Sequence, residues 1–284
     1  MTPTDDDTRL PGRVVDALAC PVCRAPLGRA GGSLRCPAGH TFDIARQGYV
    51  NLLAGAVRTG TAKAGSADTS AMVADRADFL AAGHYAPLAD LVTSLARRPA
   101  GNRLVVDAGA GTGYYLGAVL DRLPSSVGLA LDVSPVATRR AARAHDRLGA
   151  AVWDVWRPWP VRDGVVDVLL NVFAPRNGPE FHRVLRPGGL LVVVTPGEDH
   201  LAELGTAAGL LGVDPRKPER LAETLGERFE RLATHELRYP MTLDAVDVRR
   251  VVGMGPAGHH RRPAEEGGTR RVTASFVVSE YRRT

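Results

Sequence analysis

Residues Leu104 to Tyr115, LVVDAGAGTGYY, decide how this chain is read. Leu104, Val105 and Val106 lead into Asp107, and Gly109, Gly111 and Gly113 follow at alternate positions. An apolar run that breaks into glycines reads as a buried parallel strand entering a tight turn. Glycine there admits positive φ and lets a ligand approach the main chain. A helix over Tyr114 to Arg122 would turn its free N–H groups towards whatever lies over the turn. The spacing is G-x-G-x-G, not the G-x-G-x-x-G of a dinucleotide site, and the Gly-Lys-Ser/Thr of a phosphate loop is absent. An acidic residue directly ahead of the glycines suits a cofactor with an amino group. That combination points to S-adenosyl-L-methionine.

Outward from this stretch, strand and helix patterns alternate. Gly128 to Leu131 reads as a second strand ending at Asp132 and Val133, and Pro135 to Leu148 as an arginine-rich helix. Ala150 to Trp153 is a third strand closed by Asp154, and Val165 to Phe173 a fourth, too apolar to be exposed on either face. A helix over Glu180 to Leu185 stops at Arg186-Pro187-Gly188-Gly189, and Leu190 to Thr195 is the fifth strand. Leu232 to Leu243 and Val272 to Tyr281 alternate as the sixth and seventh. Two further helices precede the glycine turn, one capped at Asp68 to Ser70 and the other over Pro87 to Arg97. The expected fold is α/β, a seven-stranded and mostly parallel sheet with helices on both faces.

In such a sheet, ligands bind beyond the carboxyl ends of the strands. Asp107, Asp132, Asp154 and the NVFAP segment Asn171 to Pro175 all fall there. Asp132, beside Val133, can accept two ribose hydroxyls, and Asp154 an adenine amino group, while Tyr114 opens the helix at the turn. A lone aspartate at a strand end is more often a helix cap. Three of them after three successive strands weigh towards a cofactor.

All three cysteines lie near the N-terminus, as Cys20, Cys23 and Cys36 followed by His40, in the pattern C-x2-C-x12-C-x3-H. Two short loops can each turn two ligands to one point, as structural zinc requires. An odd cysteine count argues against a disulfide framework. The expected organisation is a flexible stretch 1–15, a zinc-binding module 16–53, a mobile connector 54–68 and a large domain 69–284.

The net charge of +5 and pI near 9.4 come almost entirely from arginine, Lys63 and Lys217 being the only lysines. Arginine suits phosphate and base contacts, although a GC-rich coding sequence would give the same bias. Arg24, Arg29, Arg35, Arg46 and Arg58 stand against Asp43 alone between Cys20 and Gly60, so the module is basic. No apolar run approaches the roughly 20 residues of a membrane span. The polar, acidic MTPTDDDTRL is unlike a signal peptide, and a cytoplasmic protein without membrane contact is expected.

CPVC, C-P-x-G-H-T-F-D, ARQGYVNLL, AGHYAPL, GTGYY, LALDVS, VFAP, LRPGGLLVVVTPG-x-x-H-L and YPMTL span Cys20 to beyond Met241. Together they resemble the rRNA guanine-N1-methyltransferases of the RlmA type, within the class I, Rossmann-like S-adenosylmethionine-dependent methyltransferases. MGPAGHH, Met254 to His260, is similar to the branch that confers resistance to tylosin-type macrolides. The resemblance implies a guanine in a 23S rRNA domain II hairpin loop as target. Base chemistry at a pairing nitrogen needs an unstacked base. Phe173 would stack on it, Asn171 would read its edge, and His200 or Glu180 would remove the N1 proton. A homodimer is left open. Two rivals remain, a small-molecule methyltransferase and a non-catalytic RNA-binding relative. The basic zinc module argues against the first and the intact glycine turn against the second.

Overall fold

The strand expected at Leu104 forms, is buried at all five of its positions, and lies inside an eight-stranded sheet. The computed structural model describes residues 10–53, 68–97, 103–205, 224–255 and 268–284. The N-terminal elements are α1 (Gly12–Ala17), β1 (Gly28–Ala30), β2 (Ser33–Arg35), β3 (Thr41–Asp43) and β4 (Tyr49–Asn51). Next come α2 (Ser70–Ala81), α3 (Ala86–Ala96), β5 (Leu104–Ala108), α4 (Tyr114–Arg122), β6 (Val127–Asp132) and α5 (Pro135–Ala141). The remainder is β7 (Leu148–Val152), β8 (Val166–Val172), α6 (Gly178–Val184), β9 (Leu185–Pro196), β10 (Phe229–Leu243), α7 (Ala245–Gly253) and β11 (Arg270–Arg283). Among the described residues no helix is long and apolar enough to cross a membrane.

The sheet order is β10-β11-β9-β8-β5-β6-β7-β4. The run from β9 through β8, β5, β6 and β7 to β4 pairs in parallel, and β11 and β10 add an antiparallel hairpin at the far edge. The seven expected strands are present. The eighth is β4, from the ARQGYVNLL segment, which sets Tyr49, Val50 and Asn51 against Ala150, Ala151 and Val152. The seven-strand expectation is therefore corrected. Three residues are too few to carry a period-two signal, and β4 exists because β7 offers it an edge.

Successive side chains of a strand point to opposite faces, and the sheet accordingly divides two cores. Val105, Ala130, Ala150, Val168 and Val192 pack with α2, α3 and α4. Val106, Leu129, Ala151, Leu169 and Val193 pack with Val14, Leu18, Cys20, Leu34, Cys36 and Phe42. The cysteine-bearing unit, whose β1, β2 and β3 form their own antiparallel sheet, thus lids one face of the large sheet. Two expectations change. Residues 10–15 are not a flexible lead-in, because Leu10 and Val14 are buried and α1 packs on β6. Module 16–53 is not a free-standing domain, because its core is continuous with that of the sheet. Residues 1–9 and 54–67, which include most of the expected connector, lie outside the described residues.

The helices follow local rules. Thr69 caps α2 by accepting from the Met72 N–H, and Ser134 caps α5 ahead of Pro135. α5 ends at Ala141, about two turns earlier than its arginine-rich pattern suggests, and Leu148 already belongs to β7.

The shared core makes one expectation quantitative. Leu34→Ala in β2 should cost about 2–5 kcal/mol. Urea unfolding followed by circular dichroism and by tryptophan emission, which reports the buried Trp159, should show one coincident transition. A separate early transition confined to the cysteine unit would contradict the shared core.

Candidate active site

At the carboxyl end of β5 the chain turns through Gly109 (φ 77°), Gly111 (φ 55°) and Gly113 (φ 78°), the last being the N-cap of α4. All three lie in the left-handed region that glycine alone enters without strain. The space they leave serves packing as well as any ligand. A Cβ on Gly109 would stand 2.5 Å from the Ala174 Cβ, and one on Gly113 would stand 3.0 Å from the Ala141 Cα. The Gly109 and Ala110 N–H groups donate to the Leu131 carbonyl, which ties the turn to β6.

Asp132 closes the other side. Its Oδ2 accepts from the Gly111 N–H and its Oδ1 from the Ser134 N–H, both at 2.8 Å. Burial raises its carboxyl, and these two donors pull the other way. Each oxygen keeps a second lone pair, so two hydroxyls can still be accepted. Val133 beside it is half-buried. Asp154 accepts from the Trp156 N–H at 3.0 Å and lies 3.9 Å from the Arg157 guanidinium. It therefore caps the turn after β7 yet remains partly exposed at the same rim. Tyr114 begins α4 with its ring edge-on to Tyr115.

Asp107 is 1% exposed and its Oδ1 has no hydrogen-bond partner. The Oδ1 of Asn171 on neighbouring β8 and the Tyr115 hydroxyl are also buried without partners. Unpaired buried acceptors are costly unless a ligand donor meets them. An ammonium does so, and S-adenosyl-L-methionine brings one, together with ribose hydroxyls for Asp132. The residues present fit that cofactor.

Asn171 itself departs from expectation. It is fully buried, and its Nδ2 donates to the Pro175 carbonyl at 2.9 Å and the Ala108 carbonyl at 3.4 Å. It staples the NVFAP loop to the glycine turn and is not exposed to read the edge of a base. Glu180 is likewise spoken for, by the Trp159 N–H and by Arg183 at 2.7 Å.

Phe173 behaves otherwise. It is 42% exposed and holds φ 55°, unusual for an aromatic residue. Around it stand Phe276 at 5.7 Å, Tyr85 at 6.4 Å and Tyr115 at 6.5 Å between ring centroids. His200 adjoins Phe276 at 4.7 Å. Its Nδ1 accepts from the Ser275 N–H at 3.2 Å, so the neutral ring carries its hydrogen on Nε2, 3.1 Å from the Tyr85 hydroxyl. With Nδ1 engaged and Nε2 facing a phenol, His200 orients Tyr85 and is not a free base. Burial raises Tyr85 far above the ordinary phenol range, which keeps it protonated. Tyr85 was missed in the sequence because 115 residues separate it from His200.

In the cysteine unit the two knuckles are built alike. The Arg24 N–H donates to the Cys20 carbonyl and the Gly39 N–H to the Cys36 carbonyl, with Arg24 (φ 63°) and Gly39 (φ 87°) both left-handed. The ligand atoms of Cys20, Cys23, Cys36 and His40 lie within 4.8 Å of one another. The Cys23–Cys36 sulfur separation is 3.7 Å, and the His40 Nδ1 stands 3.6 Å from the Cys20 sulfur and 3.3 Å from that of Cys36. A tetrahedron with zinc–sulfur bonds of about 2.3 Å has edges of about 3.8 Å. The set fits zinc with no position left open.

The basic residues of this unit divide. Arg24 donates to the Trp159 and Val161 carbonyls, and Arg29 donates to the Leu10 carbonyl. Arg24 fastens the unit to the sheet domain, and Arg29 fastens it to the segment that leads into α1. Arg35 and Arg46 are exposed, and Arg58 lies outside the described residues.

A parallel sheet with this order, a glycine turn between two acidic strand ends and a zinc-ribbon lid define a Rossmann-like methyltransferase. A family profile described as the RlmA N-terminal zinc ribbon matches residues 18–56. A 23S rRNA (guanine(748)-N(1))-methyltransferase of Streptomyces fradiae is 51% identical over 279 residues, covering 95% of this chain and 98% of the relative. A Micromonospora griseorubida protein, provisionally described as a 23S rRNA (guanine-N(1)-)-methyltransferase, is 52% identical over 267 residues, covering 87% and 88%. The solved YcgJ protein of Bacillus subtilis aligns with a TM-score of 0.48 at 12% identity, over 69% of this chain and 97% of that one. The chain belongs to the 23S rRNA (guanine-N1)-methyltransferases, enzymes that act on rRNA.

Burial, and then the charge of Asp132, push the Asp107 carboxyl from 3.8 up to about 8. A raised acid favours the folded chain below its unfolded value, and that contribution is lost as pH climbs through about 8. An ammonium bound at Asp107 demands the ionised form, so cofactor binding below that pH must expel a proton. Affinity for S-adenosyl-L-methionine should rise about tenfold per pH unit between 6 and 8 and then level off. Calorimetry in two buffers of different ionisation enthalpy should find close to one proton released at pH 6.5. Asp107→Asn should abolish the slope. A wild-type affinity independent of pH would contradict the assignment.

Proposed function

We propose that this enzyme transfers the methyl group of S-adenosyl-L-methionine to N1 of a guanine in a hairpin loop of 23S rRNA domain II. The carrying observation is the exposed, left-handed Phe173, set on a nest of buried rings beside the unpaired acceptors of Asp107 and Asn171. A flipped base has a stacking surface there, within the site that holds the cofactor. When bound, the cofactor supplies an electrophilic methyl on a sulfonium sulfur.

The residues divide the work. Asp107 takes the amino group, Asp132 the ribose, and Asp154 with Val133 the adenine rim. Gly109, Gly111, Gly113 and Tyr114 bring the main chain of the turn close. Asn171 contributes by fixing the NVFAP loop, which aims Phe173. Tyr85, protonated and oriented by His200, presents a neutral polar group to the base pocket. Cys20, Cys23, Cys36 and His40 hold a structural zinc, and Arg35 and Arg46 on the ribbon meet hairpin phosphates. A macrolide-resistance role rests on the MGPAGHH resemblance, of which 256–260 lie outside the described residues.

Transcripts of the hairpin, incubated with labelled cofactor and digested to nucleosides, should yield label in N1-methylguanosine alone. Phe173→Ala should lower kcat/KM by about 10- to 100-fold, since stacking on one base is worth about 1–3 kcal/mol. Its zinc content and cofactor affinity should match wild type. Label in another nucleoside, or full activity of the Phe173 variant, would overturn the reading.

A further inference from the structure

A second candidate RNA surface lies on the face of the sheet opposite the ribbon. A cavity of about 720 Å³ runs between α2, α4 and α5. Those helices belong to one core and the ribbon to the other. Its lining includes small residues, Ala74 and Ala77 from α2 and Gly117 and Ala118 from α4, which leave room for a chain to lie between the helices. Its rim carries Arg139, Arg140 and Arg143, all exposed. Arg140 is partly committed, donating to the Val73 carbonyl at 3.2 Å. Arg139 on α5 and Arg143 in the turn just beyond it have no acidic partner among the described residues. The lone acid of the lining, Asp121, faces His145 at 3.5 Å. Two exposed guanidinium groups on one rim, neither paired with a carboxylate, leave positive charge there for an anion.

The cavity also has a direction. At one end it reaches Ser70, Thr112, Gly113 and Tyr114, the turn that cradles the cofactor. A chain of phosphates lying in it would therefore lead up to the carboxyl edge of the sheet, where Phe173 stands.

We propose that the α2–α4–α5 groove binds the phosphate backbone of the substrate RNA, with Arg139 and Arg143 as its phosphate contacts. The hairpin then straddles the carboxyl edge of the sheet. One flank meets the ribbon through Arg35 and Arg46, the other lies in the groove, and the target base enters between them. This rests on the rRNA reading above, and it adds a footprint that the ribbon alone does not supply. Arginine is suited to the role, since its fork engages phosphate bidentately.

The test is a salt series of hairpin binding with the full-length zinc-loaded protein, comparing wild type, R139A/R143A and R139K/R143K. Removing two phosphate contacts should lower the slope of log affinity against log salt by about two units. KM for the hairpin should rise, while kcat at saturating RNA and the affinity for S-adenosyl-L-methionine stay at wild-type values. The lysine pair should restore the slope, because the charge returns. An unchanged slope and KM in R139A/R143A would overturn the proposal, and so would weaker binding without a change of slope, which would indicate distortion. A wild-type enzyme that binds the hairpin without methylating its guanine would instead contradict the function reading, while the salt slopes would still decide the groove.

Discussion

Everything at the carboxyl edge of the sheet depends on the carboxylate of Asp132 and the two backbone N–H groups it accepts. One comes from Gly111 in the turn after β5 and the other from Ser134 at the start of α5. Together with the Gly109 and Ala110 N–H bonds to the Leu131 carbonyl, this side chain fixes the glycine turn relative to the next strand and the next helix. The turn has little other freedom, because Gly109 is wedged against Ala174 and Gly113 against Ala141. With the turn locked, the Asp107 Oδ1 and the Asn171 amide oxygen are buried without a hydrogen-bond partner. Such a site is preorganised in shape, and its charge is completed when a ligand ammonium displaces the Asp107 proton.

The second organising feature is the merging of ribbon and sheet. A unit this small cannot bury enough apolar surface alone. Here it borrows the sheet, through the shared core around Leu34 and Phe42, the pairing of β4 with β7, and the arginine ties of Arg24 and Arg29. Zinc binding and stability of the catalytic domain are therefore linked. A metal that shapes the two knuckles also seals one face of the sheet that carries the cofactor site.

Much of this was legible in the sequence where local chemistry dictates local form. The run LVVDAGAGTGYY announces its own strand, turn and helix, and α4 spans Tyr114–Arg122 as its pattern requires. The metal ligands were legible because their spacing is itself the geometry. Features that depend on distant partners were not. β4 has three residues and needs β7 to exist, and Arg24 and Arg29 count towards a basic module until carbonyls 135 and 19 residues away claim them. Asn171 reads as a pocket residue because its position at a strand end is right, yet its amide is turned inward by Pro175 and Ala108. The pairing of Tyr85 with His200 leaves no periodicity at all. Phe173 follows the fourth strand as its pattern indicates, but its left-handed backbone is invisible to pattern.

The central claim is that the edge of this sheet is a built S-adenosyl-L-methionine site with Asp132 as its keystone. The most direct measurement is calorimetric titration of that cofactor into wild type and Asp132→Asn. The substitution keeps the shape, and removes the charged acceptor of the Gly111 and Ser134 N–H groups, which is also the one proposed for the ribose hydroxyls. A hydrogen bond to a charged group is worth about 1.5–3 kcal/mol, so affinity should fall by at least about tenfold. The fold, read by circular dichroism, should be retained. Undiminished affinity in the variant would contradict the account.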